Sequence, residues 1–150
     1  MNTKVIIGLV ILILANGCSV LEAGDLKIID IWAQAALLSY SDKMSEHAYH
    51  IPVNSDSRLY FQIINESDTE DALIGGLSEV SDAVEIKGID GNKIQVGPGE
   101  KVVISPRSDM SVRLTNLNQD LLSAQKIKIT LIFERQGQVE VLVPVKLPQN

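Results

Sequence analysis

Short segments rich in Val, Ile and Thr recur along most of this chain, and turn-forming residues separate them at regular intervals. In 126–133 and 139–145, apolar side chains occupy every second position, as in strands that turn one face to a core. Gly and Pro supply turn signals, for example at 90–92 and 97–99. About eight or nine such segments predict an all-β fold, an antiparallel β-sandwich. Only residues 118–125 favour a helical turn.

The N-terminal segment has the pattern of a secretory signal peptide. Lys4 precedes an apolar run at 5–15 that is too short to span a bilayer comfortably. The single cysteine, Cys18, follows in the sequence LANGC, which is similar to a bacterial lipoprotein cleavage box. The alternative is an ordinary signal peptide beside an unrelated cysteine. The predicted division is a signal peptide, a lipidated cysteine with its tether, and one folded domain: 1–17, 18–25 and 26–150.

Charge limits where this protein can act and what it can bind. The net charge is −6 and no Lys/Arg run occurs, which argues against nucleic acid as a partner. Removal of 1–17 deletes one basic residue and no acidic residue, so charge would not hold the domain to anionic lipid. Acyl chains on Cys18 would have to do so. We therefore expect an extracytoplasmic protein, periplasmic or at the cell surface, that is anchored to a membrane by lipid.

Both histidines lie in residues 34–56, a long segment without strand periodicity. Met44, His47 and His50 follow one another at intervals of three residues, so they would share one face of a helix. On an extended strand, His47 and His50 would point to opposite sides. Thioether sulfur and imidazole suit Cu(I), whereas Zn(II) is less suited to the thioether. The alternative is a solvated loop that contains these side chains by chance.

No catalytic constellation is apparent. The chain lacks a G-x-S-x-G elbow, and neither histidine lies in a catalytic motif. The GPG at 97–99 has no context of a phosphate-binding loop and indicates a turn. We therefore expect that this protein is not an enzyme.

The order and spacing of several segments resemble the periplasmic Cu(A)-type copper chaperone family, PCu(A)C, over about residues 26–146. IIDIWAQAA resembles the family's opening strand, and LYFQIINESDTEDALIGGLSEVSDAVEIKG resembles a stretch in which an Asn ends a strand before an acidic turn. IQVGPGEKVVISP resembles the I-x-V-P-x-G hairpin, SVRLTNLNQDL resembles H-V-M-L-M-G-L, and KIKITLIFERQGQVEVLVPV resembles the closing hairpin. The resemblance implies a cupredoxin-like antiparallel Greek-key β-sandwich and a role in handling copper.

The family's Cu(I) site uses two His and two Met, and this chain departs from that pattern. By the resemblance, the first His falls on Lys87, the second His on Ser111 and the last Met on Arg113. The other Met belongs to a segment that this chain lacks. Met110 is one residue away from the strand position, which would turn it to the opposite face. Because Lys and Arg stay protonated and cannot be ligands, the usual site is expected to be absent.

The residues at these family positions have two interpretations. With the fold that the resemblance implies, Lys87, Ser111 and Arg113 would come together at one end of the sandwich. They could form a pocket for a small anion or carboxylate, which Arg binds through two parallel hydrogen bonds. Alternatively, each is a surface residue in an ordinary salt bridge, with Glu85 or Asp109 as a partner.

Two hypotheses for function remain open. The first is a copper chaperone-like protein that binds Cu(I) through Met44, His47 and His50 and delivers it to a respiratory oxidase or another acceptor. The second is a degenerate member of the family that has lost copper and serves as a non-catalytic protein-binding module at the membrane surface. The first rests on the resemblance and the Met/His cluster, and the second on the unsuitable residues at the ligand positions.

Overall fold

The structure, a computed structural model, describes the backbone of residues 20–35 and 50–147. The predicted signal peptide and Cys18 lie outside the described residues. Met44 and His47 also lie outside them, and His50 is described through its backbone alone. None of the described segments forms a helix with the length and apolar character needed to cross a bilayer.

Twelve β-strands make up the regular structure of the described residues, and no helix occurs among them. The predicted all-β class is confirmed. In chain order the strands are β1 (Val20–Ala23), β2 (Leu26–Gln34), β3 (His50–Ile51), β4 (Ser57–Asn65), β5 (Asp71–Ser78), β6 (Ser81–Lys87), β7 (Ile94–Val96), β8 (Lys101–Ile104), β9 (Ser111–Leu117), β10 (Leu121–Leu122), β11 (Lys126–Phe133) and β12 (Gly137–Lys146).

One ten-stranded sheet curves round the core to form the sandwich. Its strands are hydrogen-bonded in the order β6-β9-β4-β2-β12-β11-β5-β7, with β1 also on β2 and β8 also on β4. Every described pairing in this sheet is antiparallel except that of β12 with β2, which is parallel. β5 contacts β6, so the two sides of the sheet meet again around one hydrophobic core. The predicted β-sandwich is therefore confirmed.

β2 changes its hydrogen-bonding partner part-way along its length. β1 pairs with its first half, whereas β12 pairs with its end. At the change Asp30 has φ 54, and the register with β4 shifts between Ile29 and Trp32. Strict alternation would place Ile28 and Ile31 on opposite faces. The shift instead buries both of them in the core.

The regular structure of the described residues begins at β1, inside the segment predicted as a tether. Residues 20–23, predicted as part of a tether, form β1 and pair along the first half of β2. Gly24, at φ 59, makes the tight turn between these strands, a conformation that glycine adopts without steric cost. Backbone hydrogen bonds add β1 to the edge of β2. Such pairing leaves no pattern in the side chains, so the sequence did not predict this strand.

The helical turn expected at 118–125 is wrong, because the chain forms a strand and a turn there. β10 pairs with β3, with Leu121 opposite Ile51 and both side chains buried. The Leu122 N–H then donates to Oε1 of Gln125 at 3.1 Å and stabilises the turn. Burial of the two apolar side chains outweighs a weak local preference for helix.

The core fills the space between the inward faces of the curved sheet. In β11 and β12, the predicted alternation is confirmed, since the inward side chains are all buried: Ile127, Ile129, Leu131, Phe133, Val139, Val141, Val143 and Val145. Asp71 is a buried polar residue at the edge of this core. Its Oδ1 accepts hydrogen bonds from the N–H groups of Ala72 and Arg135, both at 2.8 Å. These bonds hold the start of β5 against the turn between β11 and β12.

β5 approaches its neighbours most closely at Gly76. A Cβ atom on Gly76 would lie 2.9 Å from the carbonyl oxygen of Thr130 and 2.9 Å from Cγ1 of Val84 in β6. Both distances are shorter than van der Waals contact. The neighbouring Gly75 has no atom within 4 Å of the same position. The closure of the sheet between β5 and β6 therefore requires glycine at position 76 and leaves position 75 free.

We predict that Gly76→Ala lowers the free energy of unfolding by about 1–3 kcal/mol, because the added methyl group forces β5 away from β6 and β11. Gly75→Ala is the matched control and should change the free energy of unfolding by no more than about 0.5 kcal/mol. Urea unfolding monitored by the fluorescence of Trp32 measures both variants. Equal stability of the two variants would contradict the close approach at Gly76.

Candidate functional site

The register between β6 and β9 brings together the three residues at the family ligand positions. Across these two antiparallel strands, Lys87 lies directly opposite Ser111, and Glu85 lies directly opposite Arg113. The buried side chains of both strands alternate with these four residues. All four therefore project from the outer face of the sheet, where they meet solvent.

Arg113 lies in a row of charged residues that crosses three strands. Arg58 lies directly opposite Arg113 on the neighbouring strand β4, and Glu85 lies directly opposite it on the other neighbouring strand, β6. Nη2 of Arg113 is 2.7 Å from Oε2 of Glu85, and Nη1 is 3.9 Å from Oδ2 of Asp56. The hydrogen bond with Glu85 raises the pKa of Arg113. Arg113 is therefore a permanent cation and makes the surface salt bridge that the second interpretation expected.

A groove with a volume of about 650 Å³ opens on this face. Its lining combines the four residues paired between β6 and β9 with four others: Arg58, Ile74, Ile86 and Asn92. Arg58 and Lys87 are exposed. Within the part of the chain that the structure describes, the side chains of Arg58 and Lys87 form no ion pair or hydrogen bond. The groove thus presents two uncompensated cations on either side of Arg113.

Sequence reasoning missed Arg58, Ile74 and Asn92. No motif marks these residues, and they lie on β4, on β5 and in the turn after β6. The register of β4 with β9 brings in Arg58. A register shift where β5 pairs with β11 leaves Ile74 unpaired and 44% exposed at the groove. Neither register can be read from the sequence of a single strand.

The groove does not fit Cu(I). Lys and Arg side chains carry only donors, and a serine hydroxyl is a hard oxygen ligand, whereas Cu(I) prefers sulfur and imidazole. Among the described residues, no group of three His, Cys, Asp or Glu side chains could hold a metal ion. The described side chains of the groove therefore favour an anion over a soft cation.

Met110 does not contribute to this groove. It is partly buried, packs against the hydrophobic core and lines a separate hollow with Ile89 and Glu100. Its position directly before β9 turns it away from the face that carries Ser111 and Arg113, as the alternation of side chains along a strand requires. Met110 is therefore not a replacement for the family's methionine.

The backbone of His50 lies near the far end of β9 from Ser111. His50 pairs with Leu122 in β10, and the N–H of Asn54 donates to the carbonyl of Leu117 at 2.7 Å. Ser111 and Leu117 are the two ends of β9, which is about 20 Å of extended strand. The proposed ligands Met44 and His47 lie outside the described residues. The structure thus separates the start of β3 from the groove.

A family model establishes the relationship of this chain. The family described as "Putative lipoprotein LpqE-like" matches residues 26–145. The chain belongs to the LpqE-like family. No curated protein matches this LpqE-like chain.

Solved structures show that the LpqE-like chain has the fold of PCuAC domains. The copper-bound PCuAC domain from PmoF2 is 23% identical with a TM-score of 0.70, and the match covers 87% of this chain and 99% of that one. The apo PCuAC domain from PmoF1 is 21% identical with a TM-score of 0.70, and the match covers 87% of this chain and 100% of that domain. The Cu(I) form of DR1885 from Deinococcus radiodurans is 19% identical with a TM-score of 0.56, and the match covers 77% of this chain and 76% of that one. These matches confirm the resemblance and the cupredoxin-like fold.

We predict that the Arg113–Glu85 ion pair contributes less than about 1 kcal/mol to the stability of the LpqE-like domain. The side chains are 41% and 55% exposed, so solvent screens their attraction. A double-mutant cycle with Arg113→Gln and Glu85→Gln, measured by urea unfolding, gives the coupling energy. It should fall further in high salt. A coupling energy well above this limit would show that the pair is a structural requirement of the groove.

Proposed function

We propose that this LpqE-like protein is an exported, lipid-anchored copper chaperone-like protein that carries Cu(I) to a membrane or periplasmic acceptor, such as a respiratory oxidase. The observation that carries the copper proposal is the match over 87% of the chain with a domain described as copper-bound. Because the groove at the family ligand positions presents cations, the Cu(I) site of this protein would be displaced. Its role would be to bind and transfer the ion without catalysing a reaction.

Met44, His47 and His50 are the proposed ligands. The chain has two histidines in all, and both lie in this cluster. Two described residues, Ala35 and His50, flank the part of the chain that holds Met44 and His47. The N–H of Ala35 donates to the carbonyl of Lys146 at 2.7 Å, and His50 begins β3. Both flanking residues are thus hydrogen-bonded into the sandwich. Two imidazoles and a thioether would supply three donors that suit Cu(I).

We expect the protein to bind Cu(I) in competition with a chromophoric Cu(I) chelator. Replacing Met44, His47 and His50 together by Ala should lower the affinity by more than about 100-fold, beyond the loss typical of residues that only support a ligand. Met110→Leu is the control and should leave the affinity unchanged, because this methionine packs against the core. Unchanged affinity in the triple variant would rule out the proposed ligands.

Cys18 is the proposed site of lipid attachment. The family description names a lipoprotein, and LANGC is similar to a lipoprotein cleavage box. β1 begins at Val20, so a lipid on Cys18 would hold the folded domain close to the membrane.

We predict that Cys18→Ser protein is released from membranes into the soluble fraction, because a single residue change removes the thiol that would carry the acyl chain. Incorporation of a labelled fatty acid into the wild-type protein and its absence from the variant provides the measurement. Circular dichroism should show the same β-sheet content in both proteins. Labelling of Cys18→Ser to the wild-type level would place the lipid elsewhere.

A copper-free protein-binding module at the membrane surface is the second candidate. The observation that favours it is the salt bridge of Arg113 with Glu85, which engages a family ligand position in ordinary surface electrostatics. The two candidates differ in the chelator competition. Absence of Cu(I) binding tighter than weak surface association would support the second candidate and end the first.

A further inference from the structure

We infer that the groove between β4, β6 and β9 binds a small organic monocarboxylate, held by Arg58, Lys87 and Arg113. The inference is independent of copper binding, because it rests on side chains that cannot hold Cu(I). It assigns a role to a groove that three basic side chains line together.

The positions of Arg58 and Lys87 allow them to converge on one ligand. They lie on β4 and β6, the two neighbours of β9, so their strands are two spacings apart, about 10 Å. Both are long side chains without a partner among the described residues. Ser111 and Arg113 lie between them on β9 and form the floor of the gap. A carboxylate placed there would accept charge-assisted hydrogen bonds from both sides.

The local charge selects a monoanion. Arg58, Lys87 and Arg113 contribute three positive charges, while Glu85 and Asp56 beside Arg113 contribute two negative ones. The five side chains together carry one net positive charge, which one carboxylate would neutralise. A doubly charged phosphate would leave an excess negative charge in a chain whose net charge is already −6.

The remaining lining suits an organic body attached to that carboxylate. Asn92 and Ser111 add neutral hydrogen-bonding groups, and Ile74 adds an apolar side chain that is 44% exposed. The volume of about 650 Å³ lies within the range of small-molecule sites, roughly 300–1,000 Å³. An open groove of this kind matches a short-chain carboxylic acid with the charged end on Arg58 and Lys87 and the hydrocarbon end towards Ile74.

The test is a titration of the full-length, detergent-solubilised protein with sodium butyrate, followed by backbone-amide NMR shifts at constant ionic strength. We expect saturable shifts at Lys87, Ser111 and Arg113. Butyramide, which has the same size and no charge, should cause none of them. Inorganic phosphate should bind at least threefold more weakly than butyrate. Shifts that do not saturate, or equal shifts with butyramide, would overturn the inference, as would tighter binding of phosphate.

A matched pair of variants locates the site. Arg58→Gln with Lys87→Gln should weaken butyrate binding at least tenfold, because both unpaired cations are removed. Arg107→Gln with Lys126→Gln makes the same change in net charge on exposed residues outside the groove and should leave binding unchanged. Amide spectra of both double variants without ligand establish that each is folded. An equal loss of butyrate affinity in the two double variants would show that only the net charge of the protein attracts butyrate. That result would contradict a specific site in the groove.

Discussion

The change of partner within β2 is the constraint on which the rest of the structure depends. One edge of β2 pairs with β4. The other edge pairs with β1 along its first half and with β12 at its end. A regular strand could not bury both Ile28 and Ile31, but the left-handed conformation of Asp30 between them makes this possible. Because β4 leads on to β9 and β12 leads on to β11, β2 joins the two sides of the sheet around one core.

The groove follows from that arrangement and not from any local motif. β4 sets Arg58 beside Arg113, and β6 sets Glu85 on its other side. By the resemblance, Arg113 and Lys87 fall where the family has a methionine and a histidine, and neither side chain can be a ligand for a soft metal ion. The start of β3 lies towards the other end of β9, near Leu117. The replacements in the groove therefore say nothing against metal ligands in the segment before β3.

Much of the fold could be predicted from patterning, since alternation in β11 and β12 identified their buried faces correctly. The exceptions have two physical causes. β1 is a short strand added by backbone pairing, whereas β10 forms because Leu121 is buried opposite Ile51. For the candidate site, the resemblance singled out Lys87, Ser111 and Arg113 and the structure places all three on one groove, whereas Arg58 and Ile74 entered it only through the registers of β4 and β5.

The sequence by itself determined the all-β class, the acidic charge, the family and the absence of soft ligands at Lys87, Ser111 and Arg113, because composition, residue type and alternation are properties of the chain alone. Tertiary structure alone decided which outward-facing residues became neighbours. A strand's pattern tells which side faces the core, but the partner and register come from hydrogen bonds between segments as distant as residues 58 and 113. That pairing turned three separate basic residues into one groove, with Glu85 and Asp56 compensating two of the charges.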